Sequence, residues 1–315
     1  MKFTLRQLEI FVAVSRTGSV SRAAEILFMS QSATSTALGE LERQYDSQLF
    51  DRVGKSLKIN EMGRQILPLA VELLDRADDL NNTLNGHQGY GLMKIGATLT
   101  IGNYLATLLI AEFLHLHSDS QIKLEVHNTS TIIQQISNYE LDIGLIEGAC
   151  HHPDIAVEKW MADELVVFCA PENPLANTTH LTMDHLIKAP WILREHGSGT
   201  RETFDHAFHH HHAQLNVRLE LEHTEAIKRA VESNLGIGCI SRLALKDAFR
   251  RGSLVPIETP DLNLKRYFYF LWHKKKYQTP SMREFLSLCR TITQGIEQSD
   301  QVNLSRINHY EQKTS

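Results

Sequence analysis

The chain has no CxxC pair. Its four cysteines, Cys150, Cys169, Cys239 and Cys289, are scattered through 315 residues. That spacing sets aside a disulfide framework and suits reduced thiols packed inside a cytoplasmic protein. No apolar run approaches the ~18 residues that a membrane span requires, so no membrane partner is expected. The first twenty residues carry Lys2, Arg6, Glu9 and Arg16 in place of an export signal. Ser-His-Asp order, HExxH, a Walker loop and a paired-carboxylate signature are all lacking, so the chain does not read as an enzyme. The stretch Gly197-Ser198-Gly199-Thr200 is too short for a nucleotide loop, because the following Lys-Ser/Thr is missing. Taken whole, a net charge of −5 argues against nucleic acid.

What is present changes that last reading. Residues 1–64 hold nine Lys/Arg and seven Asp/Glu, a net of +2, which leaves −7 for the remainder. A mildly basic N-terminal unit on an acidic body is compatible with local DNA contact. Apolar residues at 42% and charged residues at 22% are ordinary for a globular protein. The length allows two or three compact units, each with its own core.

Three short helices are expected first. Leu5, Leu8, Phe11, Val12 and Ser15 form one helical stripe, which Thr17-Gly18 ends. Ser19 suits the N-cap of a second helix containing Ala23 and Ala24, small enough for close contact. After a turn at Phe28-Met29, Ser30 suits the cap of a third helix to about Gln44. Ala33, Ala37, Leu38 and Leu41 would face inward there, and Gln31, Ser32, Ser35 and Thr36 outward. Leu49-Phe50 followed by Arg52, Gly54, Lys55 and Lys58 reads as a small hairpin, or wing. From Glu61 to about Leu84 a long helix repeats Ile66, Leu69, Leu73, Leu74, Ala77, Leu80 and Leu84 near a 3.5-residue period. Pro68 falls in its first turns, where it is tolerated. A solitary stripe of that length must be buried, most simply on a partner helix in a dimer. Gly86, Gly89 and Gly91 then suit a hinge.

Beyond residue 92, strands at MKIGAT, IKLEVHN, LDIGLIEG, ELVVFCA, PWILRE, VRLELEH, IGCIS and YFYFLWH alternate with helices. The helices are expected near 102–117, 130–139, 182–188, 199–209, 224–234 and 241–250. Such alternation predicts α/β units with largely parallel sheets.

The first helices fit a helix-turn-helix from about Ser19 to Leu38, whose last helix can enter a DNA major groove ~12 Å wide. Gln31 can make paired hydrogen bonds to adenine. Ser21, Arg22, Ser30, Ser32, Ser35 and Thr36 can reach bases or phosphates, while Arg52 and Lys55 suit the backbone or minor groove. A solvated three-helix bundle has the same spacing, and spacing alone does not choose between the two.

A resemblance does. The run SVSRAAEILFMSQSATSTALGELERQYDSQLFDRVGKSLKINEMG resembles the N-terminal signature of LysR-type transcription regulators. Ser19, Ser21, Ala23-Ala24, Leu27, Ser30-Gln31, Ser35, Leu41-Glu42, Leu49-Phe50, Arg52 and Gly63 stand in the family's order. The likeness covers nearly the whole chain. It departs at Tyr45-Asp46, where Leu-Gly is usual, at Thr36, where many members have Arg, and at Asn60, commonly Thr. The resemblance implies a winged helix-turn-helix over 1–60 and a dimerisation helix and hinge over 61–91. It further implies a two-subdomain, periplasmic-binding-protein-like effector module over 92–297. Subdomain I would take about 92–161 and 267–297 and subdomain II about 162–266, leaving 298–315 as a polar tail. It also implies a homodimer, often paired into a tetramer, that binds double-stranded DNA at an interrupted inverted repeat and contacts RNA polymerase.

In such a module ligands lie at strand ends and helix N-termini, where unpaired N–H groups favour anions. Three stretches qualify: Thr98, Thr100 and Asn103 after the first strand; Asn128, Thr129 and Ser130 after the second; and Glu195, Gly197, Ser198, Thr200 and Arg201 after PWILR. Glu147, ending LDIGLIEG, and Thr224, opening the helix EAIKRAV, join this effector-binding set. Each stretch taken singly reads first as helix capping, which hydroxyl residues do routinely; it is the convergence of the three that points to a cleft. Within the family, the C-terminal stretches resemble the branch of CbbR-like and YeiE-like regulators. That implies a small anionic effector, such as sulfite or a small carboxylate, and no resident cofactor.

The run His209 to His212 and the Cys150-His151-His152 cluster contain metal-ligand residue types. Adjacent histidines point in different directions, so they read as solvated loop, and Cys150 reads as a buried thiol at an element end. No metal site is expected. Two competing readings are an α/β ligand-binding protein or enzyme with an N-terminal dimerisation bundle, and a metal-responsive regulator that uses the histidine run.

Overall fold

The computed structural model describes residues 2–54, 56–85, 91–178, 181–211, 214–259 and 261–302. Lys55, Gly86, Gly89, His212 and the tail from 303 therefore lie outside the described residues.

Helix α1 (Leu5–Thr17) opens on a Thr4–Gln7 capping box and closes on Gly18 at φ 62. Its buried face is Leu8, Ile10, Phe11, Val12, Ala13 and Val14; Leu5, assigned to that face by spacing, is instead 48% exposed. Ser19 caps α2 (Val20–Ile26), where Ala23 and Ala24 are buried. Ser30 caps α3 (Gln31–Gln44) by accepting from Ala33 N–H at 3.2 Å. Such caps contribute about 1 kcal/mol each. On α3 the inward residues are Thr34, Leu38 and Leu41, whereas Ala33 is exposed. Thr34 can be fully buried because its hydroxyl donates to Ser30 C=O.

Asp46 adopts φ 47, so the departure from the usual Leu-Gly puts a carboxylate residue where glycine is least strained. The antiparallel hairpin β1 (Phe50–Val53) and β2 (Ser56–Ile59) forms the wing and pairs Arg52 with Leu57. Phe50 meets Phe11 with ring centroids 5.6 Å apart. Asn60 accepts from Gly63 N–H, so it caps α4 (Glu61–Leu84) as the more usual Thr would. Pro68 lies two turns into α4, not in its first turns. Having no N–H, it leaves one helical carbonyl without its bond. Ala70 and Val71 of α4 pack on the N-terminal core, while Leu69, Leu73, Leu80 and Leu84 are exposed.

The C-terminal part is one sheet in the order β4-β3-β5-β11-β6-β9-β7-β8, with β10 paired to β6. In chain order these strands are β3 (Leu92–Thr98), β4 (Gln121–His127), β5 (Ile143–Glu147), β6 (Ile155–Cys169) and β7 (Trp191–Arg194). They continue as β8 (Val217–Leu221), β9 (Ile237–Ser241), β10 (Val255–Ile257) and β11 (Lys265–His273). The helices are α5 (Leu99–Ile101), α6 (Thr107–Leu116), α7 (Thr129–Ser137), α8 (Met183–Lys188), α9 (Gly199–Ala207), α10 (Thr224–Glu232), α11 (Arg242–Arg251) and α12 (Pro280–Ile292).

The sheet is mixed, not largely parallel. β3 pairs in parallel with β4 and β5, and β7 with β8 and β9, but β11 and β6 run antiparallel to their neighbours. Those two long strands join the halves. Around β3, β5 and β11 lies one core with Phe113, Phe268, Phe270 and Phe285. Around β7 and β9 lies another with Trp191, Phe204 and Phe208.

The first half of β6, the strand β10 and the helix α12 escape the sequence reading. α12 is amphipathic, with Met282, Phe285, Leu286 and Cys289 buried. Residues 298–302 are not free tail: Ser299 is buried and donates to Asp163 Oδ1 at 2.5 Å, and Lys246 reaches Asp300 C=O.

One segment, Leu99–Leu116, does have the length and composition to cross a membrane. A five-residue π turn, Gly102–Ala106, interrupts it, and Ile101, Leu105, Ala106, Leu109 and Phe113 are packed in the domain core. All four cysteines are buried and free, and burial pushes the Cys239 thiol up to about 12.

Candidate functional site

The first candidate site is the exposed N-terminal face of α3. Gln31, Ser32, Ser35 and Thr36 are exposed, as are Ser21, Arg22 and Arg52. Ser30 is exposed but engaged: besides capping α3 it lies 3.1 Å from Ser32 Oγ. Phe28, in the turn before α3, is 97% exposed at φ 53. Gln31 is the first residue of the helix and is exposed, and its amide offers a paired donor and acceptor of the kind that can meet a base edge.

The second site is the seam between the two sheet halves, and its centre is Glu147. The Glu147 side chain is 1% exposed. Thr98 Oγ1 donates to its carboxylate at 2.6 Å, Thr100 Oγ1 at 3.1 Å and Thr200 Oγ1 at 3.3 Å. These hydroxyls come from the ends of β3 and α5 on one side and from α9 on the other. The seam is tight because Gly199 has no side chain: a Cβ there would lie 2.0 Å from Glu147 C=O. Gly199 N–H donates to Thr129 Oγ1 at 3.2 Å, and Thr129 Oγ1 in turn donates to Glu147 C=O at 3.3 Å.

The residues beneath this ring are not in the sequence-derived set. Arg266 is buried at the start of β11; its Nη1 donates to Thr200 Oγ1 at 3.0 Å and lies 3.8 Å from Glu147. Its Nε donates to Asp163 Oδ2 at 2.7 Å, while Ser241 and Ser299 donate to Asp163 Oδ1. Arg266 Nη2 is buried without a partner. The signal was available: in KRYFYFLWH, Arg266 shares the period-two face of Phe268 and Phe270, so a lone cation points into the core.

The other expected effector residues separate into groups. Asn128 and Ser198 are N-caps, accepting from Thr131 and Thr200 N–H respectively. Asn103 and Ser130 are exposed at the rim, and Ser130 N–H donates to Gly197 C=O across the seam. Glu195 is held by Arg194 at 2.8 Å and lines the mouth with Asn103, Asn128, Glu222 and His223. Thr224 is buried with its hydroxyl unpartnered.

Arg201 stands apart from the ring. Its guanidinium runs back to Arg194 C=O, Asp205 and Glu220, so its donors are spent inside its own half and do not face the seam. A further bridge closes the mouth: Tyr104, on the π turn, donates to Glu225 Oε1 of α10, beside Lys228. Burial, with Glu225 beside it, raises the Tyr104 hydroxyl above its ordinary range.

The described part of the histidine run, 209–211, supplies no such geometry. His209 and His210 are exposed with rings 3.6 Å apart, and among the described residues no group of three His, Cys, Asp or Glu side chains could hold a metal ion.

Two family models match the chain. Residues 5–64 match the bacterial regulatory helix-turn-helix protein, lysR family, and residues 87–294 match the LysR substrate binding domain. The HTH-type transcriptional regulator YeiE of Escherichia coli (strain K12) is 42% identical over 289 residues, covering 92% of this chain and 98% of that one. Among solved structures, a full-length OxyR from Pseudomonas aeruginosa covers 93% of this chain and 96% of its own at TM-score 0.67 and 20% identity. The regulatory domain of Synechocystis PCC6803 CcmR, in complex with 2-PG, matches 66% of this chain and all of its own at TM-score 0.62 and 26% identity. A DNA-binding helix-turn-helix on a small-molecule domain is thus the arrangement of these residues, and the reading as an N-terminal dimerisation bundle is set aside. The chain belongs to the LysR family of transcription regulators.

Proposed function

We propose that this regulator senses a small anion at the seam around Thr98, Thr100, Thr200 and Arg266, and transmits its presence to a helix-turn-helix that reads DNA through Gln31. The observation that carries the anion reading is the Arg266 guanidinium, buried with Nη2 unpartnered beneath a ring of hydroxyl donors. An unmatched cationic donor out of water is costly and is satisfied by an incoming acceptor. Such an anion shares donors that Glu147 now holds, so its entry displaces that carboxylate. The CcmR regulatory domain solved with 2-PG supports a small effector in the same module.

Subdomain I takes about 92–161 and 267–297 and subdomain II about 162–266 in this reading, the change falling inside β6 and β11. Gln31, Ser32, Ser35 and Thr36 contact base edges, and Ser21, Arg22, Ser30, Arg52 and Lys55 contact the backbone. The exposed Leu69, Leu73, Leu80 and Leu84 of α4, spaced four and seven apart, form the seam of a homodimer that pairs again into a tetramer. Effector binding changes how the subunits pack, hence how widely the DNA-binding pairs are splayed and what they offer RNA polymerase. The protein works in the cytoplasm and performs no catalysis.

Calorimetry of the full-length chain against sulfite, acetate and a bulky neutral aromatic tests the effector class. Binding of the aromatic alone would overturn the anion reading.

A further inference from the structure

The DNA-binding unit is docked on the effector domain. Lys276, following β11, is buried, and its Nζ lies 2.7 Å from Asp75 Oδ2 of α4 and 2.9 Å from Asp142 Oδ1. Asp142 precedes β5 and is fixed within the effector domain, its Oδ2 accepting from Lys94 N–H at 2.7 Å. Beside this bridge, Arg16 in the last turn of α1 donates to Tyr139 C=O. Tyr139 stands at φ 58, packs its ring into the helix-turn-helix core and lies tilted against His273 with centroids 4.1 Å apart. Arg76 of α4 lies over the Tyr277 ring at 4.1 Å.

Charges removed from water this far are expensive unless paired. Burial alone would lower the Lys276 ammonium, but Asp142 and Asp75 outweigh it and hold the group charged. A contact of this kind engages or releases as a unit, because a half-broken bridge strands a buried charge.

The strands that carry the bridge also carry the seam. β5 links Asp142, just before it, to Glu147 at its end; β3 carries both Lys94 and Thr98; and β11 carries Arg266 and ends at His273, three residues before Lys276. At ~3.3 Å per residue Asp142 and Glu147 are about 16 Å apart. β3, β5 and β11 are hydrogen-bonded neighbours, so they move as one body.

We infer that the Asp75–Lys276–Asp142 bridge, with Arg16 on Tyr139, is a latch through which the state of the seam sets whether the DNA-binding unit is docked or released. On α4, Asp75 lies on the far side from Leu69, Leu73 and Leu80 at 100° per residue, so docking leaves the dimer seam free. The coupling half of this inference rests on the effector reading above, whereas the docking half does not.

Spin labels on Arg22→Cys and Lys123→Cys, both exposed, read the docking in the full-length chain, diluted with unlabelled chain to suppress signals between protomers. The four native cysteines are buried and escape labelling. The parent should give one distance population, and Asp75→Asn and Lys276→Met should each add a longer one. Gly199→Ala, which forces Glu147 away from α9, should lengthen the same distance without touching the latch. A parent-like distribution in folded Asp75→Asn overturns the docking role. A shift in Asp75→Asn with none in Gly199→Ala overturns the coupling while docking stands.

Discussion

Replacing Arg266 with Met removes the cation at the centre of the seam. Asp163, whose side chain is fully buried, then keeps Ser241 and Ser299 but loses its only guanidinium, 2.7 Å away. Breaking a buried pair in this way costs about 3–5 kcal/mol. With a urea m-value of about 2 kcal/mol/M, the unfolding midpoint should fall by about 2 M. Trp160, Trp191 and Trp272 all lie in the effector domain, so their fluorescence follows that domain alone. Asp163→Asn should cost a comparable amount, about 3–5 kcal/mol, because it strands the buried Arg266 guanidinium even though an amide oxygen still accepts both hydroxyls. The double variant should fall short of the sum by about 1–3 kcal/mol, since the two changes remove one interaction. Arg266→Lys should lie between, because a single ammonium cannot replace a fork that reaches both Asp163 and Thr200. A cost below about 1 kcal/mol for Arg266→Met, or additivity in the double variant, would refute the buried-pair reasoning.

Other outcomes follow from the same geometry. Gln31→Ala should relax sequence preference in a gel-shift series by about 1–3 kcal/mol at one base pair, and unchanged affinity and preference would mean that α3 is not the reading helix. Lys55→Ala should weaken all DNA binding and reduce the salt slope by about 1. Leu73→Glu with Leu80→Glu should convert the dimer to monomer in sedimentation while the secondary structure is retained; an unchanged mass would remove α4 as the interface. Burial holds the His273 imidazole below its usual 6.5, so the folded state binds fewer protons than the unfolded chain. Its stability contribution is full above about pH 6.5 and is lost as the pH falls toward the depressed folded value. His273→Phe, which can keep the ring contact with Tyr139, should flatten that part of the stability profile relative to the parent; an identical slope would exclude His273 as its source.

The amino-acid sequence alone determined the local grammar. Ser19, Ser30 and Gly18 mark helix ends because caps and left-handed residues act within one turn. Apolar period placed α4 and most strands for the same reason. Thr98, Thr100 and Thr200 were legible as donors at element starts. Tertiary structure decided what those donors face. Arg201 and Arg266 are both buried arginines near the seam, yet one spends its fork on its own half and the other keeps a free Nη2. Local pattern shows that Arg266 is buried, but not what either fork meets, because their hydrogen-bonding partners lie 4 to 103 residues away. The antiparallel course of β6 and β11, and the meeting of Asp75 with Lys276 across 201 positions, are likewise long-range. Pattern fixes which face of an element is buried, and only packing fixes against what.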